Sequence, residues 1–141
     1  MATTRNATTH WEGTLFEGAG KVTLESSGVG TFDVSWASRA EEANGKTSPE
    51  ELIAAAHSSC FSMALSNGLA KAGTPATSLD TSAAVDFVPG TGITEIRLTV
   101  KGVVEGISND DFVAAATAAK EGCPVSQALA AVTIKLEASL A

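Results

Sequence analysis

Tyrosine is absent from this chain, and only two cysteines and two histidines occur among its 141 residues. Positive charge is also scarce. Nine Lys and Arg stand against sixteen Asp and Glu, for a formal net charge of -7. Gripping a polyanion takes a basic patch, so this balance argues against nucleic acid as a partner. No apolar run approaches the roughly 20 residues that span a bilayer, and residues 1–10 lack the apolar centre of a secretion signal. The expectation is a cytoplasmic protein with no membrane partner. In a reducing compartment, two cysteines so far apart in sequence are not expected to form a permanent staple. No Cys-x-x-Cys or His-x-x-x-His spacing offers the ligand set of a zinc site, so no metal is expected. Internal repeats and low-complexity tracts are missing as well.

What is present reads as one globular domain over residues 1–141. Hydrophobic residues make up 44% and charged residues 18%, and the length suits a single core. Period-two alternation and glycine punctuation predict strands over 9–16, 21–25 and 31–36. Residues 37–46 are polar and read as a loop. Thr47-Ser48-Pro49-Glu50-Glu51 then opens a helix: Ser48 can cap, Pro49 suits the first helical position, and two carboxylates face the positive dipole end. That helix is expected to run to about Ala72 and to stop at Gly73. Strands follow over 78–87 and 93–104 around Pro89-Gly90-Thr91-Gly92, then a helix over 110–120, a short one from Cys123-Pro124, and a last strand over 132–137. The order βββ-α-ββ-αα-β gives an α+β fold, with antiparallel sheets packed around a long central helix.

Chemistry centres on the two thiols, for which two unrelated buried cysteines is the plain reading and catalytic or redox use the sharper one. Cys123 precedes Pro124 at a helix start, where free N–H groups lower a thiol pKa. Cys60 lies mid-helix in Ala54-Ala55-Ala56-His57-Ser58-Ser59-Cys60, where the dipole helps little and an outside cation is needed to make a thiolate. His57 shares a helix face with Cys60; on its own it reads as a hydrogen-bonded interior histidine. Arg39, in the polar loop, is the other candidate cation, since guanidinium stays charged when buried.

The run Ser48-Pro49-Glu50-Glu51-Leu52-Ile53-Ala54-Ala55-Ala56-His57-Ser58-Ser59-Cys60 closely resembles the OsmC branch of the OsmC/Ohr family of thiol peroxidases. Gly122-Cys123-Pro124-Val125-Ser126-Gln127-Ala128-Leu129 resembles the second cysteine motif of that family, and His10-Trp11-Glu12-Gly13 its opening. The resemblance implies a two-cysteine peroxidase that reduces organic hydroperoxides and hydrogen peroxide in stress defence. Cys60 falls on the peroxidatic position and Cys123 on the resolving one. Arg39 falls on the arginine that activates the thiolate, and Glu50 on the carboxylate that orients it. The resemblance also implies a cytoplasmic, intertwined homodimer with no cofactor, re-reduced by dihydrolipoyl groups or a lipoylated protein. Ala40 departs from the family, which often carries an aromatic there, and Ser58 and Ser59 stand in place of alanines.

On that implied mechanism the Cys60 thiolate attacks peroxide, and the sulfenic acid condenses with Cys123 to a disulfide. Glu50 and Cys60 are ten residues apart, about 15 Å along a continuous helix. Either the chain before Ala54 bends away, or Glu50 and Arg39 reach the thiol from a second subunit, and the latter is favoured. A non-catalytic small-ligand-binding protein and a redox sensor are the alternatives, separated by the acidity of Cys60 and by peroxide turnover.

Overall fold

The computed structural model describes residues Met1 to Ala141. Its first three elements are short strands, β1 (Thr8–Glu12), β2 (Ala19–Thr23) and β3 (Thr31–Val34), paired antiparallel in that order. Alternation along β2 buries Val22 while Lys21 stays exposed, 2.6 Å from Asp33 on β3.

Here one expectation fails. The strand does not continue to Trp36, and residues 37–46 are not all loop. Ser35 caps a five-residue helix, α1 (Trp36–Ala40), in a reciprocal pair with Ser38: each side chain accepts from the other's backbone N–H. This is a capping box with serine where Glu or Gln usually stands. It places Arg39 on a helical turn.

The long helix α2 (Pro49–Lys71) forms as its sequence predicts and runs unbroken for 23 residues. Ser48 Oγ accepts from Glu51 N–H at 3.1 Å to start it. At its end, Thr74 N–H donates to Leu69 O at 3.0 Å and Gly73 N–H to Ala70 O at 3.1 Å. That is the Schellman pattern, and it needs the left-handed φ of +84° that Gly73 adopts.

Two long strands follow, β4 (Ala76–Val88) and β5 (Gly92–Val104), paired antiparallel. Then come α3 (Asn109–Gly122), α4 (Pro124–Ala128) and β6 (Thr133–Leu140). β6 lies beside β5 and runs parallel to it, in sheet order β4-β5-β6. The second sheet is therefore mixed, not wholly antiparallel as the sequence reading has it. The reason is topological: α3 and α4 carry the chain back to the end where β5 began, so the next strand runs the same way.

The chain divides within α2 into two compact units, Met1–Leu52 and Ile53–Ala141. In the second, Phe61, Leu65 and Leu69 on α2 pack with Leu98 and Val100 of β5 and with Phe112 and Ala116 of α3. Gly102 on β5 lies so close under the Phe112 ring that a Cβ there would sit 2.6 Å from it. The α2 segment of this unit is thus the packing partner of the β4-β5-β6 sheet. No helix is long and apolar enough to cross a membrane.

Candidate active site

The second unit brings Cys60 and Cys123 together. Cys60 stands one residue before Phe61 on α2, beside the buried stripe of His57, Phe61 and Leu65, and is half-buried. Cys123 ends α3, its N–H donating to Ala119 O at 2.9 Å, and Pro124 starts α4 immediately after it. That corner turns the Cys123 side chain fully inward. The two sulfurs, 63 positions apart in sequence, are 3.0 Å apart, and both are free thiols. A disulfide is about 2.05 Å long, so a shift of about 1 Å joins them.

Across a gap this short either sulfur can donate, and the surroundings decide which keeps the proton. Burial pushes the Cys60 thiol up, its own hydrogen bond to Cys123 pushes it further, and the Val125 N–H opposes only in part. Burial also acts upward on Cys123. There it is outweighed by the Cys60 donor, the Ser126 N–H, the Ser126 hydroxyl and the Val125 N–H, which together hold Cys123 below the ordinary thiol value. Within the pair, Cys123 is the sulfur that gives up its proton more readily. The helix-start argument from sequence points to the same sulfur.

His57 is fully buried, and its Nε2 lies 2.7 Å from Ser126 Oγ. Burial lowers its pKa, because charging the ring means desolvating it, so the imidazole is neutral near pH 7. Its place beside Ser126 is not visible in the sequence, where the two residues are 69 positions apart. Ser126 itself is missed as well; the available signal was its position three residues after Cys123, where a helix-start hydroxyl faces back to the preceding corner. The Ser58 and Ser59 hydroxyls donate to the Ala55 and Ala56 carbonyls at 3.3 and 3.0 Å, within their own helix. No group of three His, Cys, Asp or Glu side chains is arranged to hold a metal ion.

The first unit brings Arg39 and Glu50 together. Arg39 Nε donates to Glu50 Oε1 at 3.0 Å and Oε2 at 3.3 Å, and its Nη2 donates to Oε1 at 2.9 Å. The Glu50 side chain is 8% exposed and that of Arg39 32%. A nearly buried carboxylate without this partner would carry a heavy desolvation cost, so the pair holds the guanidinium in one orientation. Both residues owe their places to caps: Ser35 starts the turn that carries Arg39, and Ser48 starts the helix that carries Glu50.

Comparison with known proteins agrees with this architecture. The OsmC-like protein family matches residues 42–137. The chain is 45% identical over 125 residues to Peroxiredoxin OsmC of Escherichia coli (strain K12), covering 86% of this chain and 87% of that protein. Among solved structures, it superposes on the organic hydroperoxide resistance protein OsmC of Legionella pneumophila with a TM-score of 0.74 at 24% identity, covering 99% of this chain and 98% of that one. An organic hydroperoxide resistance protein from Elizabethkingia anophelis gives a TM-score of 0.75 at 23% identity, covering 100% and 99% of the two chains. At such identities the structural matches speak to the fold.

Proposed function

We propose that this chain, which belongs to the OsmC-like protein family, is a thiol-dependent peroxidase that reduces organic hydroperoxides and hydrogen peroxide. The observation that carries the reading is the pair of free sulfurs 3.0 Å apart. The 45% identity to a peroxiredoxin of the same family supports it. We take the chain, both units included, as one OsmC-like domain working in the cytoplasm.

Access selects the nucleophile. Cys123 is the more acidic sulfur but is wholly enclosed, whereas Cys60 is partly exposed. Cys60 is therefore the sulfur a peroxide meets. Its thiolate attacks one peroxide oxygen, the O–O bond breaks, and alkoxide or hydroxide leaves and takes up a proton. Cys60 becomes a sulfenic acid. Cys123 then attacks that sulfur, water is lost, and the Cys60–Cys123 disulfide protects Cys60 from further oxidation. An external dithiol of the dihydrolipoyl class, free or on a lipoylated protein, restores both thiols by exchange.

Left to itself, the pair keeps its proton on Cys60. A guanidinium beside the Cys60 sulfur reverses that preference and offers donors to the charge developing on the peroxide. Arg39, oriented by Glu50, fills this role in our reading. Glu50 and Cys60 lie ten residues apart on the unbroken α2, about 15 Å of helix axis. Arg39 and Glu50 of one copy therefore serve Cys60 of a second in a homodimer.

The test is a Cys60→Ser variant, which should consume peroxide only at background rate. Cys123→Ser should pass through one oxidation and then accumulate overoxidised Cys60 by mass spectrometry. Full turnover in Cys60→Ser would overturn the mechanism.

A further inference from the structure

The two sulfurs 3.0 Å apart are free thiols, so they can close together on a third atom as well as on each other. Thiolates favour soft acceptors, and the spacing of a pair decides which acceptor suits it. Zinc is tetrahedral with thiolate bonds of about 2.3 Å, which calls for sulfurs about 3.8 Å apart and two further ligands. No third His, Cys, Asp or Glu is arranged to join the pair. A linear two-coordinate ion at the same bond length would need the sulfurs about 4.6 Å apart. A pyramidal centre with near-right angles needs only about 3.3 Å at that bond length, close to the 3.0 Å found. Trivalent arsenic is such a centre. Where it carries one organic group it has two valences left, and two thiols fill both.

We propose that the Cys60–Cys123 pair is a chelating site for trivalent arsenicals that carry one organic group. Entry is at Cys60, the sulfur that is partly exposed. That sulfur bonds to the arsenic of R–As(OH)2, its proton joins one departing hydroxyl, and water leaves. Cys123, wholly enclosed and 3.0 Å away, displaces the second hydroxyl in the same way. Two S–H and two As–O bonds break, and two As–S and two O–H bonds form. Arsenic stays trivalent and neither sulfur is oxidised, so the step needs no oxidant or reductant. The second bond closes within one molecule, where the effective concentration of the partner thiol is high. Inorganic arsenite suits the site less well, because its third hydroxyl calls for a third donor and none is arranged there. With both sulfurs held by arsenic, neither is free to meet a peroxide.

The site stands apart from the peroxidase reading and is tested on the reduced chain with phenylarsine oxide, which hydrates to an acid of this class. One equivalent should hide both thiols from a chromogenic disulfide reagent. The intact mass should show one phenylarsenic group gained and two hydrogens lost. The adduct should withstand excess monothiol and yield to a dithiol. Cys60→Ser and Cys123→Ser should each capture the arsenical about 10²-fold more weakly, the loss expected when one of two linked contacts is removed. One thiol hidden per arsenical, or single-cysteine chains that bind as tightly as the unaltered one, would overturn the site. If a variant does not fold, the thiol count in the unaltered chain still decides. Zinc in equal amount should leave both thiols open to the reagent, and equal protection by zinc would overturn the choice of a pyramidal centre. A chain that captures the arsenical on both sulfurs but consumes no peroxide keeps the site and sinks the peroxidase reading. Peroxide turnover with one thiol untouched by the arsenical keeps that reading and sinks the site.

Discussion

The two compact units treat their large hydrophobic side chains in opposite ways. The Ile53–Ala141 unit encloses Phe61, Leu65, Leu69, Leu98, Val100 and Phe112 almost completely. The Met1–Leu52 unit encloses only Val22, and leaves Trp11 at 38%, Leu15 at 50%, Phe16 at 75% and Phe32 at 40% exposure in the single chain. Strands of four or five residues with so little enclosed surface are not expected to hold together alone. Exposed aromatics of this kind are what a second copy of the chain would cover, in line with the homodimer proposed above. The chemistry divides along the same line. The enclosed unit holds two neutral-to-anionic sulfurs whose acidity is set by amides and a hydroxyl, and the open unit holds a preformed ion pair. Taken by itself, the enclosed unit has no cation among the causes that set the acidity of its thiols, and the open unit has no cysteine.

Truncating the same side chain in each unit tests the packing half of this contrast. Phe61→Ala should cost about 3–5 kcal/mol in a denaturant melt, because it empties a filled core. Phe16→Ala, mostly solvated, should cost under ~1 kcal/mol within one chain, and should show instead as weaker self-association in analytical ultracentrifugation. Equal losses would erase the distinction between the units. Arg39→Lys tests the chemical half. Lysine keeps the charge beside Glu50 but not the planar fork, so kcat/KM for an organic hydroperoxide should fall about 10²-fold. Disulfide formation driven by a chemical oxidant should be unchanged, since it needs only the second unit.

Much of this was legible in the sequence, and the exceptions have physical causes. The long helix carries its cap, its acidic first turn and its terminal glycine in sequence, and its bounds follow. Strand alternation marks β5 and β6 but is the same read in either direction, so the parallel pairing of β6 had no signature. The two cysteine motifs are distinctive, and the helix start at Cys123 announces the more acidic thiol. Ser126 and His57 meet only through the fold, across 69 positions. The turn that carries Arg39 is the clearest loss: five residues are too few for helical periodicity, and its cap uses Ser38 where an acidic or amide residue would have marked it.

That small helix gives the finest test of the contrast. Ser35 and Ser38 exchange side-chain bonds with each other's N–H, at 3.2 and 3.0 Å, and the one Ser38 hydroxyl hydrogen is shared between Ser35 O at 2.9 Å and Thr47 O at 3.1 Å. The turn is thereby tied to the residue that leads into Ser48 and the start of α2. Ser35→Ala removes one of these bonds and should cost about 1 kcal/mol of stability, the usual size of a lost N-cap. The Arg39–Glu50 bonds are fixed at one end by α2, so the loosened turn should slacken the guanidinium without dissolving the pair. Peroxide consumption should then fall only a few-fold, well short of the Arg39→Lys effect, while the Cys60–Cys123 pair closes under a chemical oxidant at its unaltered rate. A Ser35→Ala chain whose disulfide closure slows in step with peroxide consumption would mean that the two units do not divide the work as their packing implies.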